Sequence, residues 1–216
     1  MDRNEILKEI ASQVAVCKRC DLHLSRKKGV PGDGPADAEI MFIGEGPGFY
    51  ENEQGLPFVG AAGKFLNELL AAAGLRRDQV FITNVVKCRP PGNRDPQLIE
   101  LEACSGYLDR QIETISPRII ITLGRFSMAK YLPQARIGQV HGQAAWVDGR
   151  CIIPMYHPAA ALHQPSLQAV VMQDFKKLSD WIKKAREISA VKEKPVEVKS
   201  SPVEKEDDKP VQLSLF

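Results

Sequence analysis

A glycine-rich stretch directly after a short apolar run constrains this chain more than any other feature. The run covers residues 39–43, and the stretch covers 44–58, beginning Gly-Glu-Gly-Pro-Gly. A short apolar run bounded by turn residues predicts a buried strand. Glycines let the backbone turn sharply and approach another group closely. Because open α/β sheets bind ligands beyond the carboxyl ends of their strands, the stretch predicts a ligand-binding loop, with a plain Gly-rich connector as the alternative.

Further apolar runs alternate with segments of helical periodicity. Asp148-Gly149 joins two of these runs and is a strong signal for a tight hairpin. Alternating strands and helices favour an α/β fold with a mostly parallel central sheet covered by helices. The predicted strands are 39–43, 80–84, 118–124, 143–147 and 151–156, and the predicted helices are 6–14, 64–73, 96–114, 125–131 and 166–186.

Length and charge limit the function classes. The chain has 216 residues, which is long enough for one α/β domain with an appendage. Its formal net charge is +2, so the overall composition is not polybasic. No apolar run is long enough to span a membrane, and the first residues do not resemble a signal peptide. The expected location is therefore cytoplasmic, and no membrane partner is expected.

Four of the five cysteines form a pattern. Cys17 and Cys20 make a C-x-x-C pair, and Cys88 and Cys104 lie sixteen residues apart. In a cytoplasmic protein a disulfide framework is not expected, and the strand that precedes a thioredoxin-like redox pair is missing. Four thiolates suit either zinc or an iron–sulfur cluster, and the spacing does not decide between them. Cys151 lies in an apolar strand and is interpreted as a core residue.

Two polar side chains follow predicted strands. Asn84 ends one strand, and its amide can both donate and accept hydrogen bonds, as recognition of a base edge requires. His157 follows another strand and is fixed by Pro158, which suits a catalytic group. Turn capping by the Asn and a structural role for the His are the competing interpretations. Convergence with the glycine-rich loop on one sheet edge favours the functional interpretation.

The composition changes near residue 190. Residues 190–210 alternate Lys, Glu, Asp, Pro and Val without a period, which is typical of a disordered linker. Residues 211–216 then become apolar. A frayed terminus is one interpretation, and a peptide that docks into a pocket of a partner is the other.

The combined motifs resemble the family 4 uracil-DNA glycosylases of the iron–sulfur type. The resemblance covers about residues 5–185 and depends on four segments: Gly-Glu-Gly-Pro-Gly at 44–48, Pro-Phe-Val-Gly at 57–60, Thr-Asn-Val-Val-Lys-Cys-Arg-Pro-Pro at 83–91, and His157-Pro158. It implies a three-layer α/β/α fold, a 4Fe–4S cluster, and excision of uracil from DNA in base excision repair, by a monomer associated with the nucleoid. Residues 1–189 would form the glycosylase domain.

The resemblance also implies roles for individual residues. Phe58 would stack on the flipped base, Asn84 would bind the uracil edge, and His157 would face uracil O2. Glu51 would lie near the C5 side, and Gly46 stands where related families have a catalytic Asp. Either Glu45 or Glu51 would position the attacking water, which the sequence leaves open. The implied cluster ligands are Cys17, Cys20, Cys88 and Cys104; the implied DNA contacts are Leu162 as a minor-groove wedge, Arg89 and Arg94.

Two features stand outside this core resemblance. Phe49 and Tyr50 occupy positions where the family often has acidic residues, which makes the local field less negative. The tail sequence Gln212-Leu213-Ser214-Leu215-Phe216 resembles the bacterial sliding-clamp binding peptide, which implies contacts from Gln212, Leu213, Leu215 and Phe216. A non-excising uracil sensor or cross-linking protein remains an alternative, although such relatives carry an added basic loop near 84–95 that is absent here. A redox protein built on the cysteines is a second alternative.

Overall fold

The computed structural model describes residues 2–192, with side chains described through residue 188. Five strands and nine α-helices make up this part of the chain, together with single 3₁₀ turns at Arg77–Gln79 and Pro91–Asn93. The elements are α1 Arg3–Val16, α2 Leu22–Ser25, β1 Ile40–Gly44, α3 Phe49–Gln54, α4 Ala61–Ala72, β2 Val80–Asn84, α5 Leu98–Ile115, β3 Ile119–Leu123, α6 Arg125–Ala129, α7 Ile137–Val140, β4 Ala145–Val147, β5 Arg150–Met155, α8 Pro158–His163 and α9 Ser166–Lys192.

The sheet confirms the predicted fold class. Its strand order is β2-β1-β3-β5-β4, and every pair is parallel except the β4–β5 hairpin at one edge. The register pairs Gly44 with Asn84, so that β1 and β2 end side by side. Within residues 2–192, no helix is long and apolar enough to cross a membrane.

Alternation of side chains along the strands produces the three layers. In β1, Ile40 and Phe42 pack on one face, and Met41 and Ile43 pack on the other. Because successive strand side chains point to opposite faces, one strand supplies side chains to the hydrophobic cores on both faces of the sheet. The first core contains residues of α4, α8 and α9, and the second contains residues of α5.

Several elements differ from the sequence prediction, most by one to three residues at their ends. Residues 44–58 include a short helix, α3, which the glycine-rich composition concealed. The helix expected to begin at Pro96 begins at Leu98, because Gln97 is its N-cap and donates its backbone N–H to Oε2 of Glu100 at 2.8 Å. The last helix continues beyond its predicted end at residue 186 to Lys192.

Candidate active site

A pocket of about 290 Å³ opens at the carboxyl ends of the parallel strands. It brings together the six residues expected to contact uracil, which come from the ends of β1, β2 and β5 and from the 44–58 segment. This convergence follows from the parallel sheet, in which strand ends separated in sequence share one edge. Its walls include Glu45, Gly46, Pro47, Gly48, Glu51, Phe58, Ala62, Asn84, Pro90, Asn93, Arg94, Pro96, His157, Ala159 and His163.

Phe58 forms one buried wall of the pocket in a constrained backbone conformation. Its φ is +51°, in the left-handed region that a bulky residue rarely adopts. Arg77 holds this conformation by donating hydrogen bonds to the carbonyl oxygens of Pro57 and Phe58. Gly63 on α4 allows it, because a Cβ atom there would overlap the carbonyl group of Phe58. The position of the ring therefore depends on hydrogen bonds from Arg77 and on the space that Gly63 leaves.

Asn84 presents an unpaired acceptor. It is 1% exposed at the end of β2, and its Oδ1 atom has no hydrogen-bond partner among the described residues. Gly44 lies against it, since an added Cβ would overlap Oδ1 and come within 2.7 Å of the Phe58 ring. A buried amide oxygen without a partner costs free energy, which a ligand that donates a hydrogen bond would recover.

His157 is a neutral hydrogen-bond donor. Its Nδ1 atom accepts a hydrogen bond from the backbone N–H of Ala159 at 3.1 Å, so in the neutral ring the proton resides on Nε2. Burial lowers the pKa of His157 to about 4, against a smaller opposing effect of the Glu51 carboxylate. The imidazole lies 5.6 Å from the Phe58 ring, centroid to centroid, at an angle of 30°. The Phe58 ring and the His157 imidazole thus share one corner of the pocket.

The Glu51 carboxylate organises the loop that carries Phe58. Its Oε1 atom accepts hydrogen bonds from the backbone N–H groups of Val59 and Gly60, each at 2.9 Å. These two contacts fix the chain directly after Phe58, and Gly48 leaves room for the other carboxylate oxygen. Glu51 therefore shapes the pocket wall in addition to facing the cavity.

The Glu45 carboxyl has a raised pKa. Burial, followed by the nearby Asp95 charge, raises the pKa of Glu45 to about 7, and Arg125 partly opposes this rise. Gly124 permits the close approach, because a Cβ atom there would lie 2.5 Å from Oε1 of Glu45 and 3.3 Å from Cβ of His157. A carboxyl with a pKa near neutrality can exchange a proton with water at working pH.

The three residues expected to contact DNA differ in their positions. Arg94 lines the pocket, but its guanidinium forms a two-pronged ion pair with the buried Glu100, with N···O distances of 2.6 and 2.9 Å. Arg89 is not among the residues that line the pocket. Its guanidinium lies over the ring of Phe49, 5.2 Å from the ring centroid. Leu162 is 39% exposed on α8, directly before the lining residue His163.

Comparison with known proteins adds the family to this geometry. The sequence model of the uracil DNA glycosylase superfamily matches residues 31–185 of this chain. The chain belongs to this superfamily. It is 49% identical over 186 residues to the type-4 uracil-DNA glycosylase of Sulfurisphaera tokodaii. The aligned region covers 81% of this chain and 84% of that protein.

Two further type-4 uracil-DNA glycosylases are similar over most of their length. The Archaeoglobus fulgidus protein is 45% identical over 82% of this chain and 93% of its own. The Thermotoga maritima protein is 41% identical over 84% of this chain and 97% of its own. These matches place the chain in the type-4 group of the uracil-DNA glycosylase family.

The four cysteines that the resemblance singled out lie around one small cavity. Cys17, Cys20, Cys88 and Cys104 all contribute to its walls. Arg26 donates to Sγ of Cys88, and the backbone N–H of Lys87 donates to Sγ of Cys104, each at 3.2 Å. Within the described residues, no three or more His, Cys, Asp or Glu side chains are arranged to hold a metal ion as they stand. Two of the four sulfurs nevertheless accept hydrogen bonds from N–H groups, an arrangement that would stabilise negatively charged thiolates.

Lys87 connects the cysteine cavity with the strand that carries Asn84. Its buried Nζ atom donates to the carbonyl oxygen of Asn84 at 2.9 Å, to Oε1 of Gln111 at 2.7 Å, and to Oγ1 of Thr83. Three oxygen acceptors converge on this one amino group and satisfy its donors, while burial lowers the pKa of Lys87 to about 7. The backbone at the end of β2 is therefore fixed from the side of the cysteines.

Several residues of this glycosylase site were not expected from the sequence. Phe58 depends on a hydrogen bond from Arg77 and on the space left by Gly63. His157 accepts a hydrogen bond from the backbone N–H of Ala159. Asn93 and His163 line the pocket wall. Glycine at position 63, directly before the predicted helix 64–73, was the one available signal of a close backbone approach.

Proposed function

We infer that this protein removes uracil from DNA by hydrolysing the N-glycosidic bond of a flipped-out deoxyuridine, leaving an abasic site. One observation carries the inference most strongly. Asn84, whose buried Oδ1 atom has no partner among the described residues, lines the same pocket as Phe58 and the neutral His157. This set supplies a hydrogen-bonding edge, a stacking face and a donor, which are the three contacts that a planar pyrimidine needs.

Asn84 is proposed to select uracil by its hydrogen-bonding edge. Uracil offers an N3–H donor to Oδ1 and an O4 acceptor to the amide N–H₂ group. Cytosine presents an acceptor and a donor at the equivalent positions, so both contacts become repulsive. Because an unpaired buried polar group is costly, such a mismatch discriminates strongly. Phe58 is proposed to stack on the base and to offset part of the cost of flipping it from the helix, a few kcal/mol.

His157 is proposed to stabilise the leaving base. When the glycosidic bond breaks, the sugar becomes oxocarbenium-like and the uracil gains negative charge on O2. A neutral imidazole that donates from Nε2 stabilises this charge, and one such donor is worth roughly 3–4 kcal/mol. The hydrogen bond from Ala159 and the low pKa of His157 support this role, since both favour the Nε2–H form.

Glu45 is proposed to position the water that attacks the sugar carbon. The pKa of Glu45, near 7, supports this role over that of Glu51, whose Oε1 atom already accepts two backbone N–H groups. Glu51 is proposed to lie on the C5 side of the base, and Gly46 beside the reacting sugar. Leu162, Arg89 and Arg94 are proposed to contact the DNA around the flipped nucleotide.

A 4Fe–4S cluster is proposed for the cysteine cavity, with Cys17, Cys20, Cys88 and Cys104 as ligands. The four sulfurs line one space and two receive N–H donors, which supports thiolate ligation. Such a cluster would supply a covalent tie between the loop after α1, the loop after β2 and helix α5. The excision chemistry needs no electron transfer, so the role assigned to it is structural.

The tail is proposed to bind a bacterial DNA polymerase sliding clamp through Gln212, Leu213, Leu215 and Phe216. These residues, and all but the first three of the 190–210 linker, lie outside the described part of the chain. The support is the sequence motif after a linker-like segment. Deletion of residues 211–216 should abolish clamp binding while excision on short oligonucleotides stays unchanged. Equal clamp affinity after the deletion would refute this role.

The protein is also predicted to be a monomer that lies in the cytoplasm and associates with the nucleoid. Its catalytic domain is predicted to cover residues 1–189.

The decisive experiment uses one labelled oligonucleotide with uracil at a single position. After incubation with the full-length protein, hot alkali should cleave the strand at uracil and leave matched thymine and cytosine strands intact. No cleavage by folded protein would contradict the inference. A covalent protein–DNA band in the same gel would instead identify a cross-linking protein.

A further inference from the structure

Two exposed aromatic side chains lie beside the pocket and have no assigned role. Phe49 and Tyr50 form the first turn of α3 and are 52% and 58% exposed. Their rings meet edge to face, with centroids 5.4 Å apart. A single exposed apolar residue is common on protein surfaces, but a contiguous aromatic pair beside a binding pocket indicates a contact surface.

This aromatic pair is continuous with the pocket rim. Gly48 precedes Phe49 and lines the pocket, as do Pro90 and Asn93 on the opposite segment. Arg89 joins the two segments, because its guanidinium lies 5.2 Å from the centroid of the Phe49 ring and its Nε donates to Oδ1 of Asn93 at 2.8 Å. Phe49, Tyr50 and Arg89 therefore form one cluster at the rim.

The chemistry of the cluster fits a nucleobase. Aromatic rings bind single-stranded nucleic acids by stacking on successive bases, at roughly 1–3 kcal/mol per base, whichever base is present. An arginine on an aromatic ring adds a cation–π contact and remains available to a phosphate. Acidic side chains at these two positions would instead repel the DNA backbone. The cluster thus has two ways of holding a strand that enters the pocket.

We propose that Phe49, Tyr50 and Arg89 form a stacking platform for the nucleobase adjacent to the uracil in single-stranded DNA. The proposal rests on the proposed uracil excision, which brings one nucleotide into the pocket and leads its neighbour across the rim. In a duplex the neighbouring base is paired and stacked on the next base pair, and freeing it costs a few kcal/mol. The platform therefore favours single-stranded over double-stranded substrate.

The test is a double-mutant cycle between the protein and the DNA. Affinity is measured by fluorescence anisotropy for single-stranded oligonucleotides in which the base on either side of uracil is present or replaced by an abasic spacer. A non-cleavable 2′-fluorinated deoxyuridine prevents turnover. Removal of one neighbouring base should weaken binding to the wild-type protein about tenfold, and the F49A/Y50A variant should bind the intact strand about tenfold more weakly. The same abasic replacement should leave the variant's affinity unchanged.

Two controls separate stacking from general damage. Trp146→Ala removes an exposed aromatic from β4 at the opposite end of β5 from His157, and it should bind both oligonucleotides like the wild type. Phe49→Trp preserves a stacking face and should retain most of the affinity. Melting temperatures check that each variant folds, and exposed positions should change them little.

Three outcomes would overturn the platform. The first is unchanged affinity in F49A/Y50A, and the second is an additive loss when both the rings and the neighbouring base are removed. The third is an equal loss on single-stranded and duplex DNA, which would assign the rings to a general surface contact. Failure of the proposed function is distinguishable, because it would appear as absence of uracil excision by the wild-type protein in the alkali assay.

Discussion

Nδ1 of His157 accepts a hydrogen bond from the backbone N–H of Ala159 at 3.1 Å, and this contact decides which ring nitrogen can donate. Proline at position 158 begins α8 and sets the backbone so that this N–H points back at the imidazole. The local turn therefore fixes the tautomer that the proposed role of His157 requires.

Replacement of His157 by Ala should lower kcat by roughly 10²–10³-fold, because one preorganised donor to the developing charge on O2 is lost. Single-turnover excision on a uracil oligonucleotide measures the change, while circular dichroism and the visible absorbance of the purified protein check the fold and the cysteine centre. A variant with the wild-type rate would exclude His157 as the donor.

Replacement of Asn84 by Leu should reduce uracil excision by roughly 10–100-fold, since the shape is kept but both hydrogen bonds to the base edge are lost. The effect should appear mainly in the rate for uracil, with cytosine remaining unreactive. Excision rates on matched uracil and cytosine strands provide the comparison. A normal rate for uracil would show that the unpaired Oδ1 atom does not read the base.

The Glu45 carboxyl should make both activity and stability depend on pH near neutrality. Its pKa is about 7 in the folded protein, above its ordinary value near 4.5, so between these values the folded state binds a proton that the unfolded chain does not. This contribution to stability is complete below about pH 4.5 and is lost as the pH rises through 7.

Glu45→Gln should therefore increase the free energy of unfolding at pH 8 by about 1–2 kcal/mol relative to the wild type, with a smaller difference at pH 5. Its excision rate should be low and flat with pH, whereas the wild-type rate should rise through about pH 7. Urea unfolding and pH–rate profiles measure the two effects. A pH-independent stability difference would contradict the raised pKa.

Two helical glycines form a matched pair. Gly63→Ala places a Cβ atom on the Phe58 carbonyl, so it should lower the free energy of unfolding by about 2 kcal/mol or more and raise KM for uracil DNA. Gly106→Ala on α5 meets nothing nearer than 3.9 Å, the distance to the Arg19 guanidinium, and should be neutral or stabilising by about 0.5–1 kcal/mol. Equal effects of the two substitutions would show that the approach of Gly63 to Phe58 is unimportant.

The cysteines also provide a matched pair. Cys88→Ala should lose the visible absorbance and most of the iron of the purified protein, because it removes a proposed cluster ligand. Cys151→Ala should retain both, since Cys151 lies in the buried core of β5 and outside the cysteine cavity. Full iron content in Cys88→Ala would remove this residue from the ligand set.

The alternation of the strands and the residues at their ends were readable from the sequence. Short apolar runs bounded by turn residues predicted β1, β2, β3 and β5, because a strand buried on both faces needs apolar side chains throughout. A parallel sheet then placed Asn84 and His157 at one edge without further information. The helix start at Leu98 and the helix α3 were missed, since side-chain capping by Glu100 and the fold of a glycine-rich segment depend on local three-dimensional contacts.

The sequence by itself determined the fold class and the residues that converge at the pocket, because these follow from local periodicity and strand direction. Only the tertiary structure decided how each residue acts. The unlike environments of Glu45 and Glu51, the strained backbone of Phe58 held by Arg77, and the neighbours of Lys87 all depend on contacts between distant segments. Protonation and orientation are set by burial and by distances of a few ångströms, which residue order does not specify.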